Sequence, residues 1–414
     1  MTENPVNLIG AILFALALVH TFSTKAFEHL ARRYPRHAGL FHLLGEVEVV
    51  FGFWAFVLIV VLALMGGGAS AIEYVESRQY TEPLFVFVVM VIAASRPVLD
   101  AVRNLLRLLA RVAPVRTELA LCWLGLALVP LSGSLITEPA AMTLAALMLA
   151  PVVFRPDMPE WAKYAALGAL FVNVSIGGTL TSYAAPPVLM VAGAWGWDSA
   201  FMLANFGWRS ALAVVINASA VSFLLRRHLA PQPESQAASA PLAVSLIHIA
   251  FLALVVVLAH HPVLFIGLFL LFLGYTQAYS QHQAPLILKE GLLVGFFLAG
   301  LVVLGGMQQW WLQPLVSSLG PTAIFFGALG LTAITDNAAL TYLGSLITGL
   351  SDHAKYMLVA GAVCGGGLTV IANAPNPAGA ALVRQGFAHG SIGAVGLFLG
   401  ALAPTCVAAL LFLI

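Results

Sequence analysis

The chain has 414 residues, of which 61% are hydrophobic and only 8% charged, against about a quarter charged in an average soluble domain. With a mean hydropathy of +0.98 there are too few charges to coat a water-facing surface, so the composition places the protein in a lipid bilayer. It excludes a secreted disulfide scaffold, a nucleic-acid binder and most soluble enzymes, and 18 basic against 17 acidic residues point to no charged macromolecular partner.

The amino-terminal segment Met1–Asn7 carries only Glu3, and the basic residues Lys25, Arg32, Arg33 and Arg36 follow the first apolar run. That order describes a first membrane helix with its amino end outside, not a signal peptide. A transmembrane helix needs about 20 mainly apolar residues, which predicts spans at 7–24, 41–65 and 82–96. Residues 117–153 are too long for one span and carry polar residues and a helix breaker in the middle. Spans follow at 161–195 and 203–225, then a Pro/Ser/Ala/Gln linker at 226–241. The second part of the chain predicts spans at 242–259, 262–279 and 288–306, another overlong stretch at 319–351, and spans at 355–387 and 391–414. Each overlong stretch suits a hairpin that enters the membrane, turns partway and leaves by the same side.

Lysine and arginine gather at 24–37, at 96–116 and at Arg226-Arg227. Basic loops face the cytoplasm, so the amino terminus is predicted outside and the linker inside a plasma (bacterial inner) membrane. The count closes only if 117–153 returns to the side it came from. The cysteines Cys122, Cys364 and Cys406 each sit alone in an apolar run, as small core side chains do, and no cofactor motif is present.

Two motifs recur in the same order. Thr137-Glu138-Pro139-Ala140-Ala141-Met142-Thr143 matches Thr335-Asp336-Asn337-Ala338-Ala339-Leu340-Thr341, and Gly177-Gly178-Thr179-Leu180-Thr181 matches Gly365-Gly366-Gly367-Leu368-Thr369. Each pair is followed by a helix-hostile stretch, Ala184-Ala185-Pro186-Pro187 or Asn373-Ala374-Pro375-Asn376-Pro377. Each half then reads as three spans, a hairpin, a broken span and a final span, with the second half starting on the opposite side. Inverted repeats with paired broken helices mark secondary transporters, whose site lies near the midplane where the breaks meet.

Carboxylates at membrane depth need a partner, a proton or a cation. Glu138 and Asp336 occupy equivalent positions, each after a threonine, Thr137 or Thr335. Asn337, Asn373 and Asn376 add amide oxygens, and Thr179, Thr181 and Thr369 add hydroxyls. This oxygen set suits Na+, tentatively at Asp336, Asn337 and Asn373. It also suits H+, because burial raises a carboxylate's pKa; a group that holds either ion but not both is a minimal exchanger. Capping of broken helix ends is the plain alternative for these residues. Glu46 and Glu48 in the second span suit helix packing or an interfacial position better than a site. His20, His42 and His248 suit span ends, His260-His261 an outer turn, and Trp310-Trp311 with Gln308, Gln309 and Gln313 an interfacial belt. Arg384 after the second break could pair with an acid, bind an anion or mark a helix end.

These motifs resemble the ion transporter superfamily, which contains sodium/proton antiporters, arsenite permeases and sodium-coupled di- and tricarboxylate symporters. The Thr137–Thr143 stretch is most similar to the hairpin of the bacterial sodium/proton antiporter branch, with Thr335-Asp336-Asn337 and the segment from Gly366 to Pro377 as its second-half counterparts. The resemblance implies an all-α polytopic fold of elevator type, a homodimer in the lipid bilayer, and no enzymatic activity. It implies scaffold helices at 1–116 and 242–306 and a mobile transport domain holding both hairpins, with broken helices at 161–195 and 355–387. The repeats would be 1–225 and 242–414, joined by the linker. The first break lacks the asparagines of its twin, so the half-sites need not be equal. Anion symporters of this superfamily carry neutral hairpin tips, whereas two carboxylates repel an anion. Exchange of Na+ for H+ is the favoured expectation, with Asp336→Asn abolishing it. A sodium- or proton-coupled symporter of an organic or inorganic anion, with Arg384 as ligand, is the alternative.

Overall fold

The computed structural model describes residues 5–229 and 240–414. Residues 230–239 of the expected linker and the extreme amino terminus lie outside the described residues. All regular structure among the described residues is helical. Among the described residues five helices are long and apolar enough to cross a membrane, or seven if each bent pair forms one span. The helices Leu242–Val257 and Pro262–Ala278, expected as full spans, have 16 and 17 residues, one or two short of that standard.

Proline and polar caps start many of these helices. Pro262 and Pro321 occupy first turns, where a missing N–H costs nothing. Asp198 and Ser351 accept hydrogen bonds from Phe201 N and Ala354 N, at 2.7 and 3.2 Å. The expected basic loop at 96–116 is helical over Arg96–Val112, bent by 62° from the preceding helix Thr81–Ala93. Its arginines at 103, 107 and 111 recur every four residues and share one face, so the segment is amphipathic rather than extended.

The fold divides into two compact units that each draw on both halves of the chain: 1–87, 288–319 and 342–350 form one, and 88–287, 320–341 and 351–414 the other. This differs from the sequence grouping, in which 88–116 and 242–287 belonged with the scaffold helices. The reason is packing: Arg96–Val112 lies against both Leu242–Val257 and Thr117–Leu126.

In the first unit, Val47–Gly66 and Leu288–Gly305 pack along each other and cross at Gly300, where a Cβ would strike the Gly52 backbone. Phe51 stacks edge-on between Phe14 and Phe297, at 5.7 and 5.2 Å. Glu46 interrupts the expected span 41–65 between two helices and pairs with Lys289 at 3.0 Å. His20 is locked by Leu44 O and Trp54 Nε1. Tyr342 donates to Val302 O at 3.0 Å.

The second unit is built around Glu160–Gly177, which is buried along most of its length. It packs on Ala394–Leu413, and Gly168 meets the Gly400 backbone too closely for any side chain. Asn217 donates to Asn173 Oδ1 at 3.0 Å, and Asn173 to Leu126 O at 2.7 Å, so this buried amide pair is satisfied within the core. His248, expected at a span end, is fully buried between Val244 O and Gln283.

The chain reverses at Thr137: Glu138–Leu149 packs back along Leu128–Ile136 and Thr117–Leu126. The stretch 319–351 behaves differently. Pro321–Thr332 packs mainly on Asp352–Gly365, and the division between the units passes through its returning helix Asn337–Ser345, between Thr341 and Tyr342.

Candidate ion-binding site

Both interrupted helices break at their glycine motifs. Glu160–Gly177 gives way to a short turn at Gly178–Leu180, and a helix resumes only at Pro186. Asp352–Gly365 stops before Gly366, and the next helix starts at Asn376. Prolines Pro186, Pro187, Pro375 and Pro377 remove N–H donors at the start of the resumed helices, and Ala185 before Pro186 is extended, so the hydrogen-bond ladder cannot run through.

The repeat seen in the sequence recurs in the contacts. Thr181 Oγ1 donates to Ser134 O at 2.7 Å, and its counterpart Thr369 Oγ1 donates to Ala333 O at 2.8 Å. Each break is thereby tied to the last turn of the arm leading to a hairpin tip. Gly177 lies against Pro130 O and Gly365 against Leu329 O. The halves also interlock: Ser175 Oγ donates to Val363 O at 2.8 Å, and Asn337 Nδ2 to Ser175 Oγ at 3.4 Å.

The two carboxylates are not equivalent. Asp336 is partly exposed, and its Oδ1 accepts from Ala338 N and Ala339 N at 2.8 and 3.1 Å. That is an N-cap of Asn337–Ser345, the plain role expected of an aspartate at a helix start. Glu138 does not cap. Its side chain is 0% exposed, its Oε2 accepts from Asn373 Nδ2 at 2.7 Å, and its Oε1 has no partner. A Cβ on Gly178 would fall 2.6 Å from that Oε1, so the glycine makes the space the carboxyl group occupies. The charge of Asp336 is near enough to act on Glu138. A hydrogen bond from Asn337 N to Ala372 O, at 3.1 Å, ties the second tip to the residue before Asn373.

Buried oxygens without hydrogen-bond partners concentrate on these same residues: Thr137 Oγ1, Glu138 Oε1, Asn337 Oδ1, Asn373 Oδ1 and Asn376 Oδ1. Buried acceptors are nearly always satisfied, so these five oxygens, all on predicted positions, are open to a hydrogen-bond donor or a cation. All are hard oxygen donors, the kind small cations prefer. Asn376 Nδ2 donates away from this group, to Gly366 O and Thr369 O, and Asn337 Nδ2 to Ser175 Oγ, whereas Asn373 Nδ2 donates to Glu138 itself. Thr179 and Thr335 spend their hydroxyl protons on Ile176 O and Leu331 O, and Thr179 also meets Ser210 Oγ at 2.6 Å. No group of three or more His, Cys, Asp or Glu suited to a tightly held metal exists among the described residues.

Thr137 has φ 73° and ψ 152°, a region that costs a β-branched residue of order 1–3 kcal/mol. Its twin Thr335 shows no positive φ. No pattern in the sequence announces this strain. Nor does the sequence mark Ser134 or Ser175, although each stands two or three residues before a repeated motif. Lys163 is a third such residue: it is 1% exposed and bonds Glu160 at 2.6 Å and Gly386 O at 2.5 Å. Arg384 is exposed, and Glu46 and Glu48 belong to the other unit.

A sequence-family profile described as "Putative Na+/H+ antiporter" matches residues 5–414. No curated protein is detectably similar to the chain. A solved structure similar to it is the YdaH transporter of Alcanivorax borkumensis, 14% identical, covering 88% of this chain and 96% of that one at a TM-score of 0.46.

Proposed function

The chain belongs to the Na+/H+ antiporter family across residues 5–414, and from that membership we propose that it exchanges sodium for protons at the Glu138 carboxyl group. As a member it is a multi-pass membrane transporter, not an enzyme. The observation that carries the site is the coincidence of a fully buried carboxyl group with the unpartnered oxygens of Thr137, Asn337, Asn373 and Asn376.

A buried carboxylate without a counter-charge costs several kcal/mol. Glu138 is therefore stable with a proton on Oε1 or with a cation beside it, and the two exclude each other. The amide and hydroxyl oxygens strip water from Na+ and replace its shell, while a proton needs none of them. In this reading Asp336 adds negative charge at the rim and holds the second tip in place, and Thr179, Thr181, Thr335 and Thr369 fix the backbone turns whose carbonyls face the ion.

The proposal extends to two re-entrant hairpins, an inverted pair of repeats, a homodimer in the bacterial inner membrane with the linker in the cytoplasm, and elevator-type alternating access. Support for a carried site is that every candidate oxygen falls within the compact unit 88–287, 320–341 and 351–414, so the ion can travel with one body.

The test is proton flux in proteoliposomes followed with a pH-sensitive dye, adding sodium, lithium or potassium salts and then labelled organic and inorganic anions. Cation-driven proton movement without anion uptake is expected. Anion uptake with little sodium-driven proton movement would overturn the reading.

A further inference from the structure

A second feature of the 88–287, 320–341 and 351–414 unit involves none of the candidate ion-binding residues. A groove of about 360 Å³ opens between the end of Arg96–Val112 and the helices Thr117–Leu126 and Trp208–Leu225, lined by Leu109, Val115, Leu119, Trp123, Leu124 and Phe223. The polar atoms of its wall are spent internally: Trp123 Nε1 donates to Ser219 Oγ at 3.0 Å, and Ser222 Oγ meets Cys122 Sγ at 3.6 Å. The wall therefore presents carbon to whatever occupies the groove. Around it Leu105, Leu108, Val112, Val115, Phe223 and Leu224 are exposed, as expected of a face turned to lipid.

The rim is basic. Residues 105–120 and 219–229 contain Arg107, Arg111, Arg116, Arg226 and Arg227 against the single acid Glu118. The Arg226 guanidinium lies 3.7 Å from the Phe223 ring centroid, directly on the groove wall, and donates to Phe223 O at 2.6 Å. Arg116 donates to the backbone carbonyl of Arg226, which sets the Arg116 guanidinium beside the Arg226 main chain, three residues from the groove wall at Phe223. Asp100 is already engaged by Arg96 and Arg103 and leaves this rim positive.

We propose that the groove seats an acyl chain of an anionic phospholipid whose phosphate sits against Arg116 and Arg226. The carbon-lined slot recognises the chain, and the arginine pair, with planar donors suited to phosphate oxygens, recognises the headgroup. A second copy docking on the same face through a two-fold axis would set arginine against arginine, which disfavours that occupant.

The test is native mass spectrometry of the delipidated full-length chain with equimolar phosphatidylglycerol and phosphatidylcholine. Wild type is expected to retain phosphatidylglycerol. Arg116→Gln with Arg226→Gln should lower that preference about 30-fold, from roughly two basic residues' attraction to an anionic headgroup, while the paired Arg→Lys variant keeps most of it and shows that the fold tolerates change there. Leu119→Trp, which fills the groove, should lower retention of both lipids. Equal retention of the two lipids by wild type, or an unchanged preference in the glutamine pair, would overturn the proposal. So would Leu119→Trp turning a dimer into a monomer with lipid retention unaltered, which would give the groove to a second copy.

Discussion

Asn373 donates its amide hydrogen to Glu138 Oε2 at 2.7 Å, joining residues 235 positions apart. Each comes from a different half of the repeat: Glu138 begins the helix after the first tip, and Asn373 lies inside the second break. The bond leaves Oε1 of the glutamate and Oδ1 of the asparagine unpartnered, so one contact fixes both side chains while keeping a lone-pair oxygen of each for a cation.

Glu138→Gln preserves shape and can still accept from Asn373, so the variant should fold with a melting temperature near wild type while exchange falls to background. Asp336→Asn tests the other carboxylate. Asparagine caps helices about as well as aspartate, so the fold should hold, and the exchange rate should fall about tenfold, equivalent to about 1.4 kcal/mol of cation attraction. This grading departs from the equal weight the repeat suggests, because Asp336 is partly exposed and already engaged with Ala338 N and Ala339 N. Flux assays on both variants beside thermal melts decide it.

Gly178→Ala puts a methyl group 2.6 Å from Glu138 Oε1 and 2.8 Å from its Cγ, forcing the carboxyl group aside. Exchange should fall at least about tenfold. Gly330→Ala is the control: nothing lies within 4 Å of its Cβ, and alanine favours a helix interior by up to about 1 kcal/mol, so exchange should be unchanged and stability equal or higher.

The architecture was legible in the sequence where composition and punctuation carry physical force. The glycine motifs loosen a helix and Pro186, Pro187, Pro375 and Pro377 favour a first turn over an interior, so both breaks could be placed where the two signals follow one another. The repeat placed Glu138 beside the second-half asparagines because symmetry-related breaks converge. What sequence pattern could not supply is where side-chain atoms point. Nothing distinguishes a capping Asp336 from a non-capping Glu138 in two matching heptapeptides, and only tertiary packing sends the returning helix Asn337–Ser345 across the boundary of the units. The strain at Thr137 and the burial of Lys163 are likewise products of packing.

Thr137→Gly should separate stability from function. Glycine adopts φ 73° without penalty, so relief of strain, less the entropy glycine loses on folding, should stabilise the protein by about 1 kcal/mol. The same change deletes Oγ1 and should slow exchange. A melt and a flux measurement on one preparation check both halves.

Thr181→Val and Thr369→Val each remove the hydroxyl that ties a break to a tip arm, leaving Ser134 O or Ala333 O without that donor. Each should cost about 1 kcal/mol and lower the melting temperature by a similar amount, since the two bonds are structural counterparts.

Competition for one carboxyl group fixes the sign of the pH dependence. Lower pH loads Glu138 with a proton, so apparent Na+ affinity should fall, approaching tenfold per pH unit where the group is mostly protonated, and Na+ binding should release protons. The most direct measurement is therefore sodium titration of the purified protein in weakly buffered solution at a pH where Glu138 holds its proton, with a pH dye as readout. Close to one proton released per chain on saturation, and none from Glu138→Gln, is the expected result. Equal release by a folded Glu138→Gln protein would contradict the assignment of exchange to this residue.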